Sequence, residues 1–210
     1  MQQRTRIKFC GMTRVEDALA AVELGVDAVG VVLTRASKRC VPIERAREIR
    51  RAMPPFVAAV TLFMDDDTAF VAEAVATVAP DLVQFHGGET AADCVRYGRP
   101  YLKAVAMGGG DWRGVIAAHG QAAGFVLDGH AAGESGGSGK TFDWSAVPSA
   151  IGKPVVLAGG LTPDNVGAAV RAVGPWAVDV SSGIESAPGT KDRDRMRRFI
   201  AAVREADEAR

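Results

Sequence analysis

Eight short runs rich in β-branched and other apolar residues recur along the chain, and segments of helical periodicity separate them. The strand-like runs are Ile7–Cys10, Ala28–Leu33, Phe56–Leu62, Leu82–Phe85, Tyr101–Val105, Gly124–Leu127, Pro154–Ala158 and Ala177–Val180. The spacing predicts helices over Val15–Leu24, Ile43–Ala52, Asp67–Val78, Thr90–Tyr97, Trp112–His119 and Asp164–Val173, and a charged one from Asp192. Only the sixth connection departs from the pattern: "GHAAGESGGSGKTFDW" is a glycine-rich loop, and "WSAVPSAI" offers it a short helix. Strands that alternate with helices in this way build a parallel sheet. Eight such units are the number that closes into a (β/α)₈ TIM barrel, with a doubly wound open sheet as the competing architecture. Nothing splits the 210 residues by composition or linker, so residues 1–210 are expected to form a single domain. Helix starts carry capping residues: Thr13 with Glu16 has capping-box spacing, and Thr162 precedes a first-turn proline in "TPDN".

Composition narrows the function classes. Twenty-five basic side chains balance 25 acidic ones, which favours no nucleic acid or other polyanion as partner. No apolar run approaches the roughly 18–20 residues of a membrane-spanning helix. The opening "MQQRTRIKFC" lacks the apolar core of a secretory signal. Cys10, Cys40 and Cys94 form an odd set without a CxxC pair, which suits a reducing compartment. A cytoplasmic protein is expected, as a monomer, with a homodimer joined through exposed apolar loops as the alternative.

In a barrel of this kind the chemistry sits at the C-terminal ends of the strands. Cys10 ends the first strand, Asp128 the sixth, "LAGGLT" follows the seventh and "DVSSGIES" ends the eighth. Gly159 and Gly160 allow close backbone approach, and Ser181, Ser182 and Gly183 offer N–H and hydroxyl donors. Together they suit a phosphate, since phosphate sites after strands 7 and 8 recur in this architecture. Cys10 is either buried packing or a proton acceptor whose thiolate nearby cations favour, with Lys8 on the same strand face. Asp128 either caps its loop or serves as an acid whose pKa burial raises; Asp179 is a rival carboxylate in a supporting role. Arg39, in the basic loop "RASKRCV", is a surface charge or a fork for an anionic group away from the phosphate. A His86/His130/Asp128 metal grouping lacks tight ligand spacing, so no metal is expected. Asp65–Asp67 read as a solvated loop and helix start, and "GGSGK" as a mobile lid rather than a P-loop.

The stretches "KFCGMT", "SKR" before "CVPIERA", "VQFHGGE", "VLDGH", "GGSGKTFDW", "LAGGLTPDNV" and "VDVSSGIESAPGTKD" occur in an order and spacing that resemble the phosphoribosylanthranilate isomerase family along nearly the whole chain. The resemblance implies a cofactor-independent Amadori rearrangement of a phosphorylated small molecule in tryptophan biosynthesis. It implies Cys10 as general base, Asp128 as general acid, Arg39 as holder of the anthranilate carboxylate, and Gly160 and Gly183 with their neighbours as the phosphate site. Lys38 stands where that family frequently has proline, and Phe85 where leucine is usual. Another phosphosugar isomerase or epimerase, or a barrel that only binds a phosphorylated ligand, is the alternative; fold alone does not choose between them.

Overall fold

The computed structural model describes residues 4–129, 142–148 and 151–210. Eight parallel strands close into a barrel in chain order: β1 (Arg6–Phe9), β2 (Ala28–Val32), β3 (Ala58–Phe63), β4 (Leu82–Phe85), β5 (Tyr101–Ala106), β6 (Gly124–Asp128), β7 (Val155–Leu157) and β8 (Ala177–Val180). Closure is made by β1 on β8, with Lys8 opposite Asp179. The expected TIM barrel is therefore present, and all eight strands lie where the apolar runs placed them. The third starts later than its apolar run: Phe56 has a left-handed backbone (φ 71°) and a fully exposed ring, which no strand residue can combine with ladder pairing.

The helices are α1 (Val15–Glu23), α2 (Ile43–Ala52), α3 (Thr68–Val78), α4 (Ala91–Val95), α5 (Trp112–Ala118), α6 (Val166–Val173) and α7 (Arg193–Glu208). The sixth connection carries only a 3₁₀ turn at Trp144–Ala146 among the described residues. The "GGSGK" segment and His130 lie outside them. Two short antiparallel strands absent from the sequence reading, β9 (Glu185–Ala187) and β10 (Thr190–Lys191), form a ribbon between β8 and α7.

Strand parity sorts the barrel into two cores. Outward residues such as Phe9, Phe63, Phe85 and Leu127 are buried under the helices. On α7, Met196, Phe199, Val203 and Ala206 recur at helical spacing and are buried, and the Phe199 ring meets Phe9 edge-on at 5.8 Å. Burying one such side chain contributes about 1.5–3 kcal/mol. Phe85 fills the space between Phe63, Tyr97 and Tyr101, with ring centroids 5.9–6.3 Å away, so its departure from leucine is a matter of aromatic packing. Inside the barrel a small apolar cluster, Leu102, Ala104, Val126, Val156, Ala158 and Ala177, fills the interior. Polar inward residues then gather toward the C-terminal strand ends.

One capping expectation is corrected and another is refined. Thr13 does not cap α1, whose N-cap is Arg14 without a side-chain bond. The Thr13 hydroxyl instead donates to Gly189 O at 2.6 Å, tying the β9–β10 ribbon to the end of β1. Thr162 lies ahead of α6, which begins at Val166, and its hydroxyl accepts from Asp164 N at 3.3 Å in the turn leading into that helix. "TPDN" forms a turn in which Asn165 Oδ1 accepts from Thr162 N and Asn165 Nδ2 donates to Gly160 O. Asp67 does cap α3, while Asp66 accepts from Met64 N and Asp65 from Gly88 N, so the acidic run serves as a loop and helix start.

Candidate active site

Cys10 is the first residue beyond β1, and its N–H still donates to Val180 O at 2.8 Å. That bond keeps the strand's alternation going, so Lys8 and Cys10 both face the barrel interior and are almost wholly buried. Lys8 Nζ donates to Asp179 Oδ2 at 2.8 Å. Burial pushes the Cys10 thiol up, and the adjacent Lys8 ammonium opposes that push without cancelling it. Burial would lower Lys8, but Asp179 and Cys10 outweigh it and hold the ammonium charged. Asp179 is raised, chiefly by burial, with Lys8 pulling the other way. An ion pair taken out of water here orders a cation beside the sulfur. Its worth lies in that placement more than in stability, because desolvation offsets much of the Coulomb gain.

Asp128 is the last residue of β6 and is buried. Its Oδ2 lies 3.6 Å from His86 Nε2, and His86 Nδ1 lies 3.2 Å from Gln84 Nε2. His130, one member of the grouping not expected to hold a metal, lies outside the described residues. Among those residues no group of three or more His, Cys, Asp or Glu side chains is arranged to hold a metal ion.

A cleft with an empty volume of about 690 Å³, its open mouth included, lies at the C-terminal end of the barrel. Cys10, Arg39, Asp128, Gly159, Gly160, Ser181 and Ser182 all line it, together with His86 and Asp179. Lys38 is exposed and does not line it. Gly183 is set apart: it lines an adjoining groove with Gly160, Ser182 and Arg195.

The two glycine-bearing segments are built to touch. A Cβ at Gly159 (φ 83°) would fall 2.3 Å from Gly129 N and 2.9 Å from Asp128 Oδ1, so the seventh loop can lie against the β6 carboxylate only with hydrogen at that position. A Cβ at Gly183 would fall 2.0 Å from Leu161 O. Gly183→Ala must therefore push the "SSG" turn away from "GGLT". We expect that variant to lose about 1–3 kcal/mol of stability, read by thermal melting, and to bind inorganic phosphate more weakly in calorimetry; unchanged melting and phosphate affinity would show that the contact is slack.

Arg39 is not a free surface charge. Its Nε and Nη2 donate to the two carboxylate oxygens of Glu185 at 2.7 and 2.8 Å, and only 13% of its side chain is exposed. Lys191 Nζ donates to the same Glu185 at 2.9 Å. Burial would raise Glu185, yet hydrogen bonds from Arg39 and Lys191 hold its carboxyl below the usual range. Glu185 and Lys191 were missed by the sequence reading. Glu185 is 146 residues from Arg39, and no local spacing signals the pair.

The family model described as N-(5'phosphoribosyl)anthranilate (PRA) isomerase matches residues 7–202. The chain belongs to this family. It is 56% identical over 200 residues to N-(5'-phosphoribosyl)anthranilate isomerase of Pseudomonas aeruginosa (strain UCBPP-PA14), covering 95% of each chain. The crystal structure of phosphoribosyl anthranilate isomerase from Thermotoga maritima superposes with a TM-score of 0.87 at 38% identity, covering 96% of this chain and 99% of that one. A phosphoribosyl anthranilate isomerase in complex with reduced 1-(o-carboxyphenylamino)-1-deoxyribulose 5-phosphate is similar with a TM-score of 0.84 at 35% identity, over 96% and 99% of the two chains. The family's barrel thus extends over nearly the whole of this chain, and the site geometry described above lies within it.

Proposed function

We propose that this chain is a phosphoribosylanthranilate isomerase of tryptophan biosynthesis. It converts N-(5'-phosphoribosyl)anthranilate to 1-(2-carboxyphenylamino)-1-deoxyribulose 5-phosphate as a single-domain cytoplasmic enzyme without metal or cofactor. The observation that supports this most is the single cleft onto which Cys10, Asp128, Arg39 and both the Gly159/Gly160 and Ser181/Ser182 segments open. Such a cleft offers an acid, a base and cationic or N–H donors for the two anionic ends of one substrate.

In the proposed reaction Asp128 gives its proton to the ribose ring oxygen. The C1–O bond breaks, and nitrogen's lone pair forms the protonated Schiff base. The Cys10 thiolate then takes the proton from C2, and the electron pair of that C–H bond moves toward C1 to give the enolamine. Tautomerisation to the ketone completes the shift. Arg39 binds the anthranilate carboxylate, and Gly159, Gly160, Ser181, Ser182 and Gly183 bind or shape the site for the phosphate. Holding both ends fixes C2 and the ring oxygen between base and acid, which is where positioning contributes most.

Because the base is a thiolate and burial raises the thiol's pKa, the thiolate fraction of free enzyme grows with pH. We expect kcat/KM to climb on the acid side of its profile, by up to about tenfold per pH unit, and to fall at higher pH as Asp128 loses the proton it must give; a Cys10→Ser enzyme that keeps the wild-type acid limb would remove Cys10 as the base. The assignment itself is tested by mixing purified protein with freshly generated phosphoribosylanthranilate and following the loss of its fluorescence with and without EDTA. Turnover unaffected by EDTA is expected. Turnover abolished by EDTA would indicate a metal-dependent epimerase-like barrel, and tight product binding without turnover a binding module.

A further inference from the structure

Arg39, Glu185 and Lys191 form a buried charge cluster at the rim that the reaction above does not use as such. Lys191 has a wholly buried side chain, Glu185 exposes 6% of its own, and two cations share the one carboxylate. The cluster continues into the phosphate side of the site: Lys191 Nζ also donates to Ser181 O at 3.1 Å and reaches Ser181 Oγ at 3.4 Å. Burial lowers Lys191, with Glu185 opposing that fall. The Arg39 stem lies close over Gly11, where a Cβ would fall 2.5 Å from Arg39 Cδ. Buried ion clusters add little to stability over apolar packing, so this one is explained better by what it holds in place.

We propose that Glu185, buttressed by Lys191 from the β9–β10 ribbon, is the positioning residue that presents Arg39 to the substrate's carboxylate. The proposal rests on the reading that Arg39 binds that carboxylate. Arginine has a long side chain with many rotamers, and ordering it at the moment of binding costs affinity. A bidentate partner orders it beforehand. The ribbon also gives the two anionic subsites one support, because the residue that braces Glu185 braces Ser181 too.

Charge alone makes the opposite forecast, which makes the proposal testable. Glu185 is negative beside a site for a carboxylate, so through-space repulsion says that Glu185→Gln should tighten ligand binding. Positioning says that it should weaken it. The test uses calorimetry with two probes: reduced 1-(o-carboxyphenylamino)-1-deoxyribulose 5-phosphate, and the anilino analogue that lacks the carboxyl group. We expect Glu185→Gln to weaken the first probe by about two- to tenfold and to leave the second unchanged. Glu185→Asp, which keeps the charge but shortens the reach, should give the same selective loss, and Lys191→Met a smaller one; these two carry the test should Glu185→Gln fail to fold. In an Arg39→Ala background Glu185→Gln should add nothing, since the two act through one contact. Tighter or unchanged binding of the carboxylated probe, or equal weakening of both probes, would overturn the proposal. Wild-type turnover is measured alongside: its absence counts against the isomerase reading, whereas its presence with an unselective Glu185→Gln counts against the positioning role alone.

Discussion

Cys10→Ala is expected to lower kcat by about 10²–10⁴-fold while leaving the barrel folded. The side chain is small and 5% exposed, so the truncation removes about one buried methylene's worth of packing, on the order of 1 kcal/mol. The substrate's two charged ends would still meet Arg39 and the two glycine-bearing segments, so KM should move far less than kcat. Cys10→Ser sharpens the test. A hydroxyl fills the same space next to Lys8, but it is far too weak an acid to ionise near neutrality, so its kcat should fall with that of alanine. Steady-state fluorescence kinetics read the loss, and circular dichroism checks the fold. A Cys10→Ala enzyme that keeps its kcat within tenfold would make Cys10 a packing residue.

Asp128→Asn is expected to cost a comparable factor, about 10²–10⁴-fold in kcat. The amide has nearly the carboxyl's shape, so the tight approach of Gly159 to Asp128 and Gly129 should survive. What the variant lacks is the transferable proton for the ring oxygen. Ring opening then becomes the slow step, and the rise of rate with pH that reports the Cys10 thiolate should flatten, since C2 deprotonation no longer limits. A steep pH dependence retained at low activity would instead place Asp128 in binding. Thermal melting of the variant separates either result from unfolding.

The strands were legible because their signal is local. Runs such as "AVGVV" and "GFVLD" alternate with segments of helical period, and the closed order of β1 to β8 follows from that rhythm. The cleft-lining positions Cys10 and Asp128 were legible for a related reason: strand parity and strand ends can be counted in sequence. The β9–β10 ribbon was not, because its strands have three and two residues, too few for a period to show. Nor was the fate of Thr13, whose capping-box spacing suits a helix start but whose hydroxyl finds Gly189 instead, 176 residues away. Arg39 shows the same limit. Its loop announced a cation, but the carboxylate that orders it arrives from beyond β8 and belongs to tertiary structure alone. Gly183 was singled out for its donors, yet its position leaves no room for a side chain: a Cβ there would meet backbone, Leu161 O at 2.0 Å.

In the proposed reaction one bound sugar meets the thiol on one side and the carboxyl on the other. A crystal structure of this protein with reduced 1-(o-carboxyphenylamino)-1-deoxyribulose 5-phosphate tests it most directly. The Cys10 sulfur is expected within about 3–3.5 Å of the ligand's C2, Asp128 on the far side facing the oxygen it protonates, and the phosphate between the Gly160 and Ser182 segments. A ligand seated in the cleft with either side chain out of reach of those atoms would contradict it.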